Sequence, residues 1–217
     1  MKILVFYGKR DKDVTYNITK KVLNKFERAT IKEYFLPDDM AKPCLGCMNC
    51  YKDSEKNCYA YNKIAKIYEN MTEADLIIFS TPTYCDNMPG HVKSFFDHFG
   101  FMWINRRPNR IMFSKKALVI STSDKLKATN TALEIKKNLS WWGISNIETL
   151  TVTRKNKNID SMIDKVYKKV INSKNKINLN TKYKFYISRF RIKNDKNNEY
   201  DYNYWKEEGW LGNKRPW

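Results

Sequence analysis

The chain of 217 residues contains no apolar run of the roughly 18 to 20 residues that a membrane-crossing helix needs. Its start, "MKILVFYGKRDK", passes from apolar to charged within a few residues, which does not suit a targeting leader. A soluble, cytoplasmic protein is the expectation. No Gly-Lys-Ser/Thr signature and no Gly-x-Gly-x-x-Gly turn are present, which excludes the usual nucleoside-triphosphate loop and dinucleotide turn. The two histidines, His91 and His98, lie on one helical segment and are read as structural or exposed. No acid–base constellation stands out among the charged residues.

The formal charge is +18, and residues 151–217 carry more than half of it. Such a field attracts polyanions and anionic small molecules. The lysines there alternate with asparagines and isoleucines ("KNKNIDSMIDKVYKKVINSKNKINLN") and form no stripe. Solvated basic faces are therefore the expected state, nucleic-acid binding is not favoured, and an acidic protein partner or phosphorylated cofactor fits the remainder.

Four of the five cysteines fall in "KPCLGCMNCYKDSEKNC", residues 42–58. In a reducing cytosol, clustered cysteines point to metal or redox chemistry before structural disulfides. Two-residue spacings let Cys44, Cys47 and Cys50 wrap one small volume, and the polar excursion "YKDSEKN" gives Cys58 the slack to join them. A [4Fe–4S] cluster, tetrahedral zinc and free thiols all remain open on spacing alone.

Apolar runs alternate with helical patterns along the chain. "KILVFY" (2–7) reads as a strand, followed by a helix with Ile18, Val22, Leu23 and Phe26 on one face. "IKEYFL" from Ile31 is a second strand, and Ile64, Ile67, Tyr68 and Met71 mark the next helix. "DLIIFST" (75–81) and "KKALVIST" (115–122) are continuous apolar runs, as strands covered on both faces require. Helices follow each, closed by Gly100 and Gly143. "NIETLTV" and "DSMIDKVYKKVI" complete a fifth pair. Regular strand–helix alternation implies an α/β fold, a doubly wound five-stranded parallel sheet.

Ligands of such sheets bind at the carboxyl ends of the strands, so the loops after strands one, three and four carry the site. "YGKRDKDVTYN" joins Gly8, Lys9, Arg10 and Lys12 to a hydroxyl-bearing helix start at Thr15, a set suited to phosphate. "STPTYCDNMPGHVKSFFDHFG" offers a stiff Pro82, the ring of Tyr84, the polar segment Cys85–Asn87, and Pro89 at the helix entry.

With these loops in place, the chain resembles the flavodoxin-like NAD(P)H-dependent FMN reductases, and within them the iron–sulfur flavoproteins. The likeness rests on "YGKRDKDVTYNITKKV", "KPCLGCMNC", "ADLIIFSTPTYCDNMPGHVKSFFDHFG" and "NRRPNRIMFSKKALVIST", and spans roughly residues 1–150. It implies strand order 2-1-3-4-5 and FMN as cofactor. The phosphate would lie on Lys9, Arg10, Thr15, Tyr16 and Asn17, and the ring on Pro82, Thr83, Tyr84, Cys85, Asp86 and Asn87. Ser121, Thr122, Ser123 and Asp124 would reach the ring edge from "STSDKLKATN", which replaces the family's Gly-rich turn. In the first loop Lys9 stands where the family carries serine, with one residue fewer. Cys44, Cys47, Cys50 and Cys58 would hold a [4Fe–4S] cluster, and NAD(P)H or ferredoxin would serve as electron donor. No catalytic side chain is needed, because the flavin carries the hard chemistry.

Arg106 and Arg107 are candidates for a nicotinamide dinucleotide's phosphate, with a plain surface loop as the alternative. The expected division is a flavodoxin-like FMN-binding domain over 1–175, with the cysteine loop at 42–58, and a C-terminal extension over 176–217. That extension is too aromatic to stay disordered and is expected to pack on the domain or on a homodimer partner. Two rival readings follow: a cluster-free NAD(P)H-dependent reductase of flavins, quinones or nitro compounds, and a basic zinc-binding module.

Overall fold

The computed structural model describes residues 1–40, 42–124, 128–195 and 198–217. Residues 125–127, part of "STSDKLKATN", lie outside the described residues, as do 41, 196 and 197. The elements run β1 (Lys2–Tyr7), α1 (Val14–Leu23), β2 (Thr30–Phe35), α2 (Leu36–Asp39), α3 (Asn49–Lys52), α4 (Tyr61–Glu73), β3 (Leu76–Pro82), α5 (Gly90–His98), β4 (Lys116–Ser123), α6 (Ala128–Trp141), β5 (Asn146–Thr153), α7 (Ile159–Asn172), α8 (Leu179–Asn194) and α9 (Glu199–Glu207). The strands form one parallel sheet in the order β2-β1-β3-β4-β5, as the resemblance implies.

Side-chain alternation divides the sheet into two apolar layers. Leu4, Phe6, Ile77, Phe79, Ala117 and Val119 face α4, α5 and α6, while Ile3, Val5, Leu76, Ile78, Leu118 and Ile120 face α1 and α7. The central runs are apolar throughout because both layers are covered. β2, an edge strand, is exposed over its first half and carries the charges Lys32 and Glu33. It stops at Phe35, one residue before the expected end, because Pro37 starts α2. Pro89 stands just ahead of α5 at its N-cap, and Gly143, at φ +101°, turns the chain after α6.

The aromatic tail folds into α8 and α9 on the same chain. Phe185, Trp205 and Trp210 pack with Ile104 and Phe113 into a third apolar cluster, fully out of water. Phe185 stacks on Trp205 with centroids 5.0 Å apart, and Trp210 meets Trp205 edge-on at 5.4 Å.

Candidate active site: two cavities along one helix

The first cavity, about 390 Å³, opens at the carboxyl ends of β1, β3, β4 and β5 and lies within the ordinary size range of small-molecule sites. Gly8 makes it possible. A Cβ there would stand 2.2 Å from Thr81 Oγ1 and 2.7 Å from Val92 Cγ2, so only glycine lets the first loop approach β3 this closely. Gly8 N–H donates to the Ser80 carbonyl at 2.8 Å, and His91 Nε2 donates to the Gly8 carbonyl.

Hydroxyls line the floor. Thr15 and Thr122 share a hydrogen bond at 2.5 Å, Thr83 and Ser121 another at 3.2 Å, and the Thr83 N–H donates to the Thr122 carbonyl at 2.8 Å. Tyr84 and Asn87 exchange backbone hydrogen bonds of 2.9 Å around a tight turn, with Cys85 and Asp86 at φ +48° and +61°. That left-handed pair, usually left to Asn-Gly, is a primed hairpin turn built from residues that pay a steric cost. It leaves Tyr84 about half exposed at the rim, 45%.

Of the sequence-predicted residues, Lys9, Thr15, Pro82, Thr83, Tyr84, Thr122, Ser123 and Asp124 line this cavity. Ser121 lies immediately behind it through Thr83. Arg10 turns away to pair with Asp38, and Tyr16 packs its ring on Tyr7 and Phe35 with Lys20 over its face at 5.2 Å. Asn17, Cys85, Asp86 and Asn87 are not in the lining either, the last three being absorbed in the turn itself.

Sequence reading missed Asp13 and the end of β5. Asp13 caps α1 by accepting the Thr15 N–H at 3.0 Å and pairs with Lys9 at 2.7 Å. That hydrogen bond raises the Lys9 pKa, keeping its ammonium charged. Val152, Thr153, Arg154, Asn156 and Ile159 complete the wall, with Arg154 pairing to Asp124 at 2.9 Å. The rule that ligands bind at strand carboxyl ends, applied to β5 as well, would have found them.

The second cavity, about 240 Å³, is lined by Cys44, Cys47, Cys50 and Cys58 together with Tyr51, Tyr59, Asp97 and His98. All four thiols of the cysteine segment therefore share one space. Gly46 at φ +64° and Met48 at φ +63° provide the reversals between them, and Cys44 N–H is held by Ser94 Oγ at 2.9 Å. His98, 2% exposed, donates from Nε2 to the Lys42 carbonyl at 3.1 Å and directs Nδ1 toward Cys58 Sγ at 3.9 Å. Burial, reinforced by the neighbouring thiols, pushes the Cys50 pKa up to about 11 and raises that of Cys58. Thiols so placed need cationic iron or zinc to become thiolates near neutrality. Among the described residues no three His, Cys, Asp or Glu side chains converge closely enough to grip a single ion.

Helix α5 joins the cavities. Its start carries His91 against the first loop, its middle holds Cys44 through Ser94, and its end presents Asp97 and His98 to the thiols. At 1.5 Å per residue, the two ends are about 12 Å apart along the axis. Arg106 and Arg107 belong to neither cavity: both are paired with Asp201, and Arg107 is 5% exposed, so these arginines do not offer a dinucleotide phosphate a free surface.

Residues 1–158 match the family pattern described as NADPH-dependent FMN reductase. An iron–sulfur flavoprotein of Clostridioides difficile is 28% identical over 171 residues, covering 76% of this chain and 72% of that protein. One of Archaeoglobus fulgidus is 34% identical over 104 residues, 45% of this chain and 48% of that protein. Among solved structures, an FMN-dependent NADH-azoreductase of Bacillus anthracis in complex with FMN superimposes with TM-score 0.55 at 14% identity, over 87% of this chain and 100% of that one. A NAD(P)H:quinone oxidoreductase of Methanothermobacter marburgensis gives TM-score 0.57 at 13% identity, over 86% and 96%. At such identities these structural likenesses speak for the fold.

Proposed function

The chain belongs to the NADPH-dependent FMN reductase family and is a flavin-dependent oxidoreductase; from that premise we propose that it relays electrons between a reduced donor, NAD(P)H or a ferredoxin, and an acceptor, using FMN in the hydroxyl-lined cavity and a [4Fe–4S] cluster in the thiol cavity. The carrying observation is that four cysteines from one segment line a single cavity at the far end of the helix that braces the first.

The donor set of the first cavity fits FMN. Thr15, Thr83, Thr122 and Ser123 supply hydroxyls for a phosphate and a polyol chain, Lys9 and Arg154 supply positive charge, and Tyr84 supplies an aromatic face at the rim. Asp13 opposes an anion at the α1 N-terminus, and Lys9 offsets its charge. FMN, when bound, supplies hydride acceptance and the release of electrons singly or in pairs. The protein's part is to hold the ring against the Tyr84 turn and to keep Thr15, Thr83 and Thr122 oriented through their mutual hydrogen bonds.

A second reading, a cluster-free NAD(P)H-dependent reductase of quinones, flavins or nitro compounds, is favoured by the absence of a tight ion site among the described residues. Anaerobic purification followed by an absorption spectrum with flavin and iron assays decides between them. Flavin bands beneath a broad brown envelope, with iron, support the relay. Flavin bands without iron select the second reading, and a colourless protein sinks both in favour of a zinc module.

A further inference from the structure

Asp201 lies in the first turn of α9 and is 2% exposed. Its carboxylate holds two guanidinium groups at once, Arg106 on Oδ2 at 2.9 Å and Arg107 on Oδ1. Arg107 then turns its other terminal nitrogen to the backbone carbonyl of Cys50 and toward Glu55 at 3.4 Å. Asn198, the N-cap of α9, donates from Nδ2 to the next carbonyl, that of Tyr51, at 2.7 Å. Rings pin the arginines: Arg106 lies 4.8 Å from the Tyr51 centroid and Arg107 4.7 Å from that of Tyr200.

These contacts meet a specific need. Helix α3 has four residues: the Asn49 carbonyl accepts the Asp53 N–H at 3.0 Å, while those of Cys50 and Tyr51 fall in its last turn and take donors from outside the helix. The Tyr51 carbonyl takes its donor from Asn198, and the Cys50 carbonyl from Arg107, which Asp201 holds in turn; both Asn198 and Asp201 lie beyond the 1–158 that match the family pattern. Tyr51 is fixed on its other side as well, since a Cβ on Gly100 would fall 2.0 Å from its hydroxyl.

We propose that α9 is a clamp on the cysteine segment, with Asp201 and Asn198 as positioning residues that hold Cys50 in the wall of the thiol cavity. Neither acts on a thiol directly. Asp201 neutralises the buried Arg107 so that this cation can stay beside the Cys50 carbonyl; without the carboxylate, desolvation drives the guanidinium toward water and the carbonyl loses its donor. Asn198 acts on the neighbouring peptide directly. The clamp rests on the cluster reading for its iron readout only.

The test uses full-length protein stripped of iron under reducing conditions and loaded with FMN. Native-state iodoacetamide labelling is followed at each cysteine by peptide mass spectrometry in wild type, Asp201→Asn and Asn198→Ala. Asp201→Asn is expected to speed Cys50 labelling about tenfold, the equivalent of about 1.4 kcal/mol of local opening, with Cys85 and FMN affinity unchanged. Asn198→Ala, which removes the bond to Tyr51 and the cap on the Asp201 N–H but no charge, is expected to give about threefold. Iron uptake on reconstitution falls in the same order. An unchanged Cys50 rate in Asn198→Ala overturns the clamp, as does equal acceleration at all five cysteines. If Asp201→Asn does not fold, the milder variant decides alone. If wild type takes up no iron, the cluster reading fails while the labelling rates still judge the clamp.

Discussion

The two cavities are built by opposite means. The hydroxyl-lined one draws residues from four strand ends that are far apart in sequence, and the backbone ladder of the sheet fixes their spacing. The thiol-lined one takes most of its wall from residues 44–59, a stretch with little regular structure, and depends on outside supports at Ser94, His98 and Arg107. A site at the sheet's edge inherits its geometry from the fold, whereas a site in a loop needs its own braces.

Breaking the thiol cavity should leave the other intact. Cys47→Ala is expected to remove iron altogether with FMN binding unchanged, measured by iron and flavin content; retained iron would refute the four-thiolate assignment. A pH series on stripped protein probes the same cavity. Because the thiolate is the nucleophile and the Cys50 pKa is pushed up to about 11, its alkylation should rise about tenfold per pH unit up to that value. A plateau near pH 9 would contradict the burial described.

Within the hydroxyl cavity the effects should be smaller and graded. Thr15→Val, which keeps shape and deletes the hydroxyl, should weaken FMN about 10- to 100-fold in a fluorescence-quenching titration, since a hydrogen bond to a charged group contributes about 1.5–3 kcal/mol. Asp13→Asn should tighten FMN about threefold, because asparagine caps a helix as well as aspartate and removes a negative charge from the α1 N-terminus. Unchanged or weaker binding would show that Asp13 does not face the phosphate. Arg10→Ala should change FMN affinity less than about twofold, since its exposed pair with Asp38 lies off the lining.

The sheet was legible because continuous apolar runs such as "DLIIFST" leave few alternatives once helices separate them. That Thr15, Pro82–Tyr84 and Thr122–Asp124 would gather around one cavity was legible for a related reason: strand-end loops converge at the carboxyl end of a parallel sheet. Tyr16 and Asn17 are outside the lining because helix periodicity turns successive side chains of α1 to different faces, and Arg10, in the loop ahead of α1, is drawn off by Asp38. Asp13 was missed as a cap since Asp11 and Asp13 look equivalent in "RDKDV". The pairing of Arg107 with Asp201, 94 residues apart, left no trace in local pattern, and the arginines were read outward when a buried carboxylate holds them inward.

The third apolar cluster bears on how this protein can be handled. A fragment cut at residue 158, where the family match ends, would lose Phe185, Trp205 and Trp210 and leave Ile104 and Phe113 facing water. It would also strip Arg106 and Arg107 of their shared counter-charge. Such a fragment would carry every predicted flavin and cysteine ligand and still present a sticky, unbalanced flank beside its thiols. Its aggregation or oxidation would report on the cut, not on the enzyme.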